Sequence, residues 1–374
     1  MLERQPVLFH GTNHPLSATA PNTADADALV AQAETTPLSD GGIAAAALLT
    51  ETLAKTPDHH AAQLLLNQLH HMFVPRWHFP MMADASRNRA YAEAINAKVQ
   101  PGDIVLDIGA GAGLTAMLAA RAGAGHVYAV EQQPMIAEAA QQVIADNNLS
   151  DKITVISKWS HDIIIGKDMP ERADVVLSEI VDSNLLGEGA LATLKHAMIH
   201  LAKPGARCIP ESGILMAQPV QSDALTETMR PRSAEGFDLS SFHKFSRMAQ
   251  ITPNDAAALP LFPLGPTVPL FYFDFTNPDI APARSEQTLT CDTEGTVHAV
   301  VVSFQMQLAP GILVSNDLRS DGHWGRTAYL PEVPMPVTPG TGLPVIAQHD
   351  ATKLSLSFNC DGEDSGAHTT LTLQ

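Results

Sequence analysis

Two glutamates near the middle of the chain are the residues best suited to do chemistry. Glu179 and Glu188 lie nine residues apart in LSEIVDSNLLGEGAL, a stretch that also contains Asp182 and Gly187. Two carboxylates that share a pocket repel each other unless a cation lies between them. The planar guanidinium of arginine offers its donors in pairs and suits carboxylates well. The residues therefore indicate a guanidinium site, and two separately solvated loop acids remain the alternative.

A glycine-rich segment earlier in the chain has the features of a nucleotide site. In VLDIGAGAGLTA, Asp107 is followed by Gly109, Gly111 and Gly113, which lead into a helical pattern, and Glu131 ends the next apolar run. Glycines let a ligand lie against the backbone, a helix start favours negative charge, and a carboxylate one strand further on accepts from ribose hydroxyls. A dinucleotide and S-adenosylmethionine both suit this layout. Asp107 would repel a pyrophosphate but not a sulfonium or an ammonium, so S-adenosylmethionine is favoured.

Alternating strands and helices are predicted to hold these two groups of residues. Apolar runs predict strands at 103–109, 126–131, 152–158 and 173–180, with helices between them and another helix over 78–99. Such alternation is typical of a parallel sheet covered on both faces. The loop with the two glutamates leaves the carboxyl end of the fourth strand, which is where open α/β sheets bind their ligands.

The pattern divides the chain into three regions. The pattern over residues 1–75 predicts a loose arm and a helical hairpin, with a helix on each side of the break at Thr56-Pro57-Asp58. The hairpin is expected to pack on the body of the protein, because one such unit cannot bury its own apolar face. Residues 76–209 predict a Rossmann-like domain. Residues 210–374 have short alternating strands that predict an antiparallel β-barrel. The segment 221–250 is long and polar for a connection within a sheet, so we expect an insertion or an arm there.

Composition excludes several classes of protein. A net charge of −18 leaves nothing to neutralise phosphates, so nucleic acid is not an expected partner. No apolar run predicts a membrane span or a signal peptide. The three cysteines are scattered and form no CxxC pair, which argues against a disulfide framework and a metal site. A cytoplasmic protein is therefore expected.

Several stretches together resemble one family, the protein arginine methyltransferases, and most of all their type 7 and type 9 branches. The matching stretches are MMADASRNRAY, VLDIGAGAGLTAM, VYAVE, DKITVISKWS and ADVVLSEIVDSNLLGEGAL, followed later by GTVHAVVVSF and GHWGRTAYL. The resemblance implies an α/β fold in which a class I methyltransferase domain precedes an antiparallel β-barrel, with a helical extension in front. It also implies S-adenosylmethionine as cofactor and S-adenosylhomocysteine as product.

The resemblance also implies a role for individual residues. Glu179 and Glu188 match the paired glutamates that hold the guanidinium, and His323 with Asp84 matches a catalytic pair that closes the pocket. That pair either accepts a proton or mainly pins a helix over the cofactor. The expected cofactor residues are His78, Arg87, Asp107, Gly109, Gly111, Gly113, Glu131 and Ser160. The expected substrate residues besides the two glutamates are Tyr91, Asp182 and Trp324.

Departures from the family pattern bear on the product and the substrate. Ile180 and Val181 replace the usual Trp and Met, and Asp182 is shared with the type 7 and type 9 branches, so one methyl is favoured and asymmetric dimethylation is disfavoured. Type 7 members often carry two tandem halves, and one half here implies a homodimer. Free L-arginine and arginine in a protein are equally good substrate predictions. A binding or regulatory protein without turnover is the alternative function.

Overall fold

The computed structural model describes residues 23–255 and 258–358. Contacts divide the chain into two compact units, Met1–Pro75 and Arg76–Gln374. The predicted arm before residue 23, the end of the predicted β domain and Cys360 lie outside the described residues.

Helices and strands fill most of the described chain. The α-helices are α1 (Thr23–Thr35), α2 (Ile43–Lys55), α3 (His60–Phe73), α4 (His78–Ala83), α5 (Ala85–Lys98), α6 (Leu114–Arg121), α7 (Pro134–Asp146), α8 (Ala190–His196) and α9 (Asp223–Met229). The strands of the second unit's first half are β1 (Ile104–Ile108), β2 (His126–Val130), β3 (Ile153–Ile156), β4 (Ala173–Ser178) and β5 (Ala202–Ile209). The remaining strands are β6 (Ser212–Gln221), β7 (Ser233–Ala234), β8 (Phe237–Asp238), β9 (Met248–Ile251), β10 (Phe262–Pro263), β11 (Val268–Asp274), β12 (Ala283–Thr290), β13 (Gly295–Val297), β14 (Ala299–Ala309), β15 (Ile312–Ser315), β16 (Arg326–Tyr329), β17 (Met335–Val337), β18 (Gly342–His349) and β19 (Leu354–Phe358).

The first unit is helical, as predicted, but α1 precedes the expected pair of helices. Its core contains Val30, Leu49 and Leu69, which come from α1, α2 and α3 in turn. The expected pair is α2 and α3, and the additional helix α1 was missed because the segment before Thr35 is only weakly amphipathic. Packing of this unit on the body stays a prediction.

The second unit begins with the predicted parallel sheet, in the order β3-β2-β1-β4-β5. The strand β5 was not predicted, because Pro204 and Gly205 within it are typical of a turn. A register shift in its pairing with β4 accommodates them, and Val175 pairs with Arg207 beyond the shift. The centre of the sheet is fully buried, and the carboxyl ends of all its strands point to one edge.

The predicted helix over 78–99 is two helices, because Asp84 interrupts it. The Asp84 side chain accepts from the backbone N–H of Arg87 and so caps α5, while its own backbone is extended.

Antiparallel strands form the rest of the unit, which confirms the predicted β domain. The strand β14 lies in the middle of a seven-stranded sheet and pairs with β6 from Ala299–Val220 to Gln307–Ser212. The strands β12, β18 and β19 form a second sheet. The segment 221–250 contains α9, the two-residue strands β7 and β8, a 3-10 helix at Ser240–Phe245 and the start of β9.

Candidate active site

Four neighbouring strands each end next to a residue that the sequence predicted for the site. Asp107 is the second-last residue of β1. Glu131, Ser160 and Glu179 follow β2, β3 and β4. In the strand order, β1 lies between β2 and β4. The chain adds β2 and β3 on one side of β1 and then β4 and β5 on the other side, so the order of the strands reverses at this point. Open α/β sheets bind ligands in the crevice at such a point.

The glycine-rich turn after β1 needs glycine for two reasons. Gly109, Gly111 and Gly113 have φ angles of 71°, 52° and 82°, in the left-handed region that side chains disfavour. A Cβ atom on Gly109 would collide with Cγ2 of Ile180, next to Glu179. The turn therefore brings the backbone of β1 against the start of the double-glutamate loop.

Two carboxylates flank this turn. Both oxygens of Glu131 accept backbone N–H groups, from Gly111 at 3.1 Å and from Gln133 at 2.8 Å. Asp107 is buried, and its Oδ2 accepts from the Thr115 hydroxyl at 2.7 Å. Burial raises the pKa of Asp107 to about 7. Its Oδ1 is also buried and has no hydrogen-bond partner among the described residues, so a ligand with a donor would satisfy it.

Arg87 and Glu179 join the nucleotide end of the site to the double-glutamate loop. The Arg87 guanidinium donates to Oε2 of Glu179 at 2.6 Å, and both side chains are buried. Burial raises the pKa of Glu179 to about 7, against the lowering effect of Arg87. Nε of Arg87 is buried without a partner among the described residues. That donor and Oδ1 of Asp107 suit the carboxylate and the ammonium of an amino acid group.

The aromatic ring of Tyr91 packs against the Arg87 guanidinium of this ion pair. The Arg87 guanidinium lies 4.8 Å from the centre of the Tyr91 ring, and the Tyr91 hydroxyl donates to the Ser178 carbonyl at 3.2 Å. Tyr91 is fully buried. The structure therefore places it behind Glu179, and it has no free hydroxyl to offer a substrate.

Glu188 has a different environment from Glu179. It is exposed, and its φ of 58° is in the left-handed region. No described side chain donates a hydrogen bond to its carboxylate. Partial desolvation of the carboxylate is the largest cause that raises the pKa of Glu188. The negative charges of Asp182 and Glu131 raise it further. A cation is the partner that such a carboxylate favours.

Asp84 and His323 connect the break between α4 and α5 to the β domain. Oδ2 of Asp84 accepts from the His323 backbone N–H at 2.9 Å and lies 3.0 Å from Nδ1 of its ring. Burial acts to raise the pKa of Asp84, but several hydrogen bonds together lower it to about 2. Burial lowers the pKa of His323. Trp324 donates from Nε1 to the Val181 carbonyl at 3.2 Å. The loop after β15 is thus tied to both halves of the site.

His78, Ser160 and Asp182 are the remaining predicted residues. His78 is buried, stacks on Trp77 with ring centroids 3.9 Å apart, and lies near Gly111. Ser160 is buried in a short 3-10 helix after β3. Asp182 accepts hydrogen bonds from three backbone N–H groups of its own loop. Among the described residues, no cluster of histidine, cysteine or acidic side chains is arranged to hold a metal ion.

Asn316 is a site residue that the sequence analysis missed. It is fully buried, and its Nδ2 donates to the carbonyls of Ser183 at 3.1 Å and Gly325 at 2.7 Å. It therefore holds the double-glutamate loop beside the loop of Trp324. A single polar residue at the end of a strand carried no signal for this role.

The fold and the site together define a Rossmann-like methyltransferase domain followed by an antiparallel β domain. A family model described as ribosomal protein L11 methyltransferase (PrmA) matches residues 90–244. Solved structures with this fold include the Trypanosoma brucei PRMT1 enzyme–prozyme heterotetrameric complex with AdoHcy (22% identity, TM-score 0.66, 75% of this chain and 91% of that one). Arabidopsis thaliana protein arginine methyltransferase 10 is similar too (20% identity, TM-score 0.62, 75% and 97%).

Curated relatives narrow the class to a family. The arginine N(omega)-methyltransferase of Streptomyces achromogenes subsp. streptozoticus is 37% identical over 72% of this chain and 75% of its own length. Protein arginine N-methyltransferase 7 of Danio rerio is 31% identical over 74% of this chain, which spans 45% of that relative. The chain belongs to the S-adenosylmethionine-dependent arginine N-methyltransferase family. The predicted family, fold and cofactor are therefore confirmed.

Proposed function

We propose that the protein transfers one methyl group from S-adenosylmethionine to a terminal guanidino nitrogen of free L-arginine. The observation that carries the proposal is the meeting of two groups of residues at the Arg87–Glu179 pair. One group comprises the glycine turn with Asp107 and Glu131, and the other is the loop that ends in Glu188. Methyl transfer needs both, because donor and acceptor must meet in line.

The residues of this chain provide binding and electrostatics. Bound S-adenosylmethionine supplies an electrophilic methyl group on sulfur. Its amino acid part would pair with Arg87 and Asp107, and its ribose hydroxyls would pair with Glu131. Glu179 and Glu188 would bind two edges of the guanidinium and draw its positive charge toward themselves. The third nitrogen would then keep more electron density for attack on the methyl carbon, and S-adenosylhomocysteine would leave as the carbon–sulfur bond breaks. The proton that the methylated nitrogen loses would pass to the exposed Glu188 carboxylate and from there to water.

The pair of Asp84 and His323 has a pinning role in this proposal. Both Asp84 oxygens accept hydrogen bonds, one from the start of α5 and the other from His323. These bonds join α5, which carries Arg87, to the loop that carries Trp324. Such a clamp keeps the cofactor and the double-glutamate loop in register.

Free L-arginine is preferred over protein arginine on one observation. The relative with 37% identity is named for arginine alone, and this chain aligns with 75% of it. The relatives named for protein arginine align over less than half of their length. Asp182, which is shared with the type 7 and type 9 branches, and Ile180 and Val181 in place of the usual Trp and Met support a single methyl.

The proposal includes a cytoplasmic homodimer that uses the segment 221–250. Phe237, Phe242 and Phe245 in this segment are 73%, 73% and 71% exposed. Exposed aromatic side chains in one segment are typical of an interaction surface. Cys208 is a free, buried thiol, in agreement with a reducing compartment. No helix of the described residues has the length and apolarity needed to cross a membrane.

Mass spectrometry after incubation with S-adenosylmethionine tests the function. Free L-arginine and an arginine-glycine-rich peptide serve as parallel substrates, and Glu188→Gln is the inactive control. We expect a gain of one methyl on free arginine. A gain on the peptide alone would replace free arginine with protein arginine, and binding of S-adenosylmethionine without any gain would favour the non-catalytic alternative.

A further inference from the structure

The loop between the two glutamates folds around a single carboxylate oxygen. Oδ1 of Asp182 accepts from the backbone N–H groups of Asn184 at 2.9 Å, Leu186 at 3.1 Å and Gly187 at 3.0 Å. Charge-assisted hydrogen bonds of this kind are stronger than neutral ones. These three bonds to the carboxylate therefore fix the path of the loop backbone in place of regular secondary structure.

The space around this carboxylate allows only glycine at position 187. A Cβ atom there would lie 2.5 Å from Cγ and 2.7 Å from Oδ2 of Asp182. The next residue, Glu188, has a φ of 58°, and Leu185 has a φ of 62°. Two side-chain-bearing residues in the left-handed region need surrounding structure to hold them.

Hydrogen bonds to the β domain hold the outside of the same loop. The carbonyls of Val181 and Ser183 accept from Trp324 and Asn316, and the Asn184 side chain accepts from the Thr327 hydroxyl at 3.2 Å. The amide groups that face inward are the ones that Asp182 binds. Because hydrogen bonds to Asp182 and to the β domain both hold the loop, the backbone at Glu188 is kept in one conformation.

We infer that Asp182 is a positioning residue that sets the conformation of Glu188, and that it does not bind the arginine substrate directly. This inference rests on the proposed function, since it concerns the glutamate that would grip the guanidinium. Oδ1 of Asp182 accepts all three hydrogen bonds from the loop, and Oδ2 lies against Gly187, where a Cβ atom would be 2.7 Å from it. A misplacement of a binding group by about 1 Å costs on the order of a hundredfold in rate.

Two substitutions of Asp182 separate positioning from direct binding. In Asp182→Asn an amide oxygen can still accept the three N–H bonds but the charge is gone, whereas Asp182→Ala loses the bonds as well. We expect kcat to fall about a hundredfold in Asp182→Ala and to stay within about tenfold of wild type in Asp182→Asn. Asp151→Ala, an exposed residue at the opposite edge of the sheet, is the control. Equal loss in both Asp182 variants, with raised KM for arginine and little change in kcat, would overturn the inference.

A substitution of Gly187 tests the same point without touching the charge. Gly187→Ala should displace the Asp182 carboxylate and reproduce the loss of kcat seen in Asp182→Ala. In the double variant that combines Asp182→Ala with Gly187→Ala, the two losses of kcat should not add, because both act through the same carboxylate. Additive losses would contradict the inference.

Hydrogen exchange of the amide groups gives a readout that does not need turnover. Exchange at residues 184, 186 and 187 should become faster in Asp182→Ala and remain slow in Asp182→Asn, with S-adenosylhomocysteine affinity unchanged in both. Slow exchange in Asp182→Ala would overturn the inference. Absence of turnover in the wild type would instead contradict the proposed function, and the exchange result would still stand.

Discussion

At the scale of single residues, the site depends on charges that are buried together. Glu179 and Arg87 form an ion pair away from water, and Asp107 lies close behind the glycine turn. A buried charge whose partner is removed is strongly disfavoured. Changes at these residues should therefore have large and specific effects on binding.

Substitution of Arg87 should weaken cofactor binding. A hydrogen bond to a charged group contributes about 1.5 to 3 kcal/mol, so Arg87→Ala should lower the affinity for S-adenosylhomocysteine about ten- to a hundredfold. Isothermal titration calorimetry measures this change. Arg89→Ala, an exposed arginine on the same helix α5, is the matched control and should bind as wild type. Equal affinity in Arg87→Ala would remove Arg87 from the cofactor site.

Activity should depend on pH through the raised pKa of Glu179. Its carboxyl group has a pKa of about 7, and only the ionised form attracts a guanidinium, which stays charged throughout this range. The kcat/KM for arginine should therefore rise with pH and level off above about 7. Initial rates at saturating S-adenosylmethionine measure it.

Asp107 has a similarly raised pKa and could produce the same rise through the cofactor. The affinity for S-adenosylhomocysteine measured over the same pH range separates the two groups. A kcat/KM for arginine that does not change with pH would show that Glu179 is already ionised in the free protein.

At the scale of elements, the turn between β1 and α6 and the loop after β4 must fit against each other. Gly109 contacts Ile180 so closely that no side chain is possible there. The glycine pattern was visible in the sequence, but this contact was not, because it depends on the pairing of β1 with β4.

Gly109→Ala should lower both stability and activity. The left-handed φ of 71° costs about 1 to 2 kcal/mol for alanine, and the collision with Ile180 adds to it. Gly102→Ala separates the two effects, because its φ is 90° but nothing lies within 4 Å of the new Cβ atom. Urea unfolding should show a larger loss of free energy for Gly109→Ala. Equal losses in the two variants would mean that the contact with Ile180 gives way easily.

At the scale of the whole molecule, the segment 221–250 projects aromatic side chains from a firmly held base. The buried Arg230 guanidinium donates to the carbonyls of Ser246, Pro331 and Glu332, which closes the base of the segment. Beyond it lie Phe242 and Phe245, whose rings pack edge to face. A fixed base reduces the loss of conformational freedom on association.

The double substitution Phe242→Ser and Phe245→Ser should convert the proposed dimer into monomers. Removal of two exposed aromatic rings removes apolar area that association would bury, and it should not affect the core. Sedimentation equilibrium measures the mass, and circular dichroism checks the fold. Phe262→Ser, which changes an exposed phenylalanine on β10, is the control. A wild-type monomer, or a double variant that remains dimeric, would contradict the assignment of this segment.

Apolar patterning and short local motifs were enough to predict the class of fold and the candidate residues at the edge of the sheet. Alternation of apolar strands with helices predicts a parallel sheet, and residues that end successive strands must meet at one edge of it. Asp107, Glu131 and Glu179 could be predicted for this reason. The two glutamates and the glycine turn also form contiguous stretches, and local patterns of this kind are readable without coordinates.

The contacts among these residues follow from the three-dimensional fold and could not be predicted from their spacing. The strand β5, the contacts of Asn316 and the bonds between Asp84 and His323 depend on partners that lie far away along the chain. Asp182 is the clearest case. The family resemblance implied a substrate contact for it, and the structure adds three N–H groups of its own loop that donate to the carboxylate. Such bonds arise from the path of the backbone in three dimensions, which residue types and their spacing do not specify.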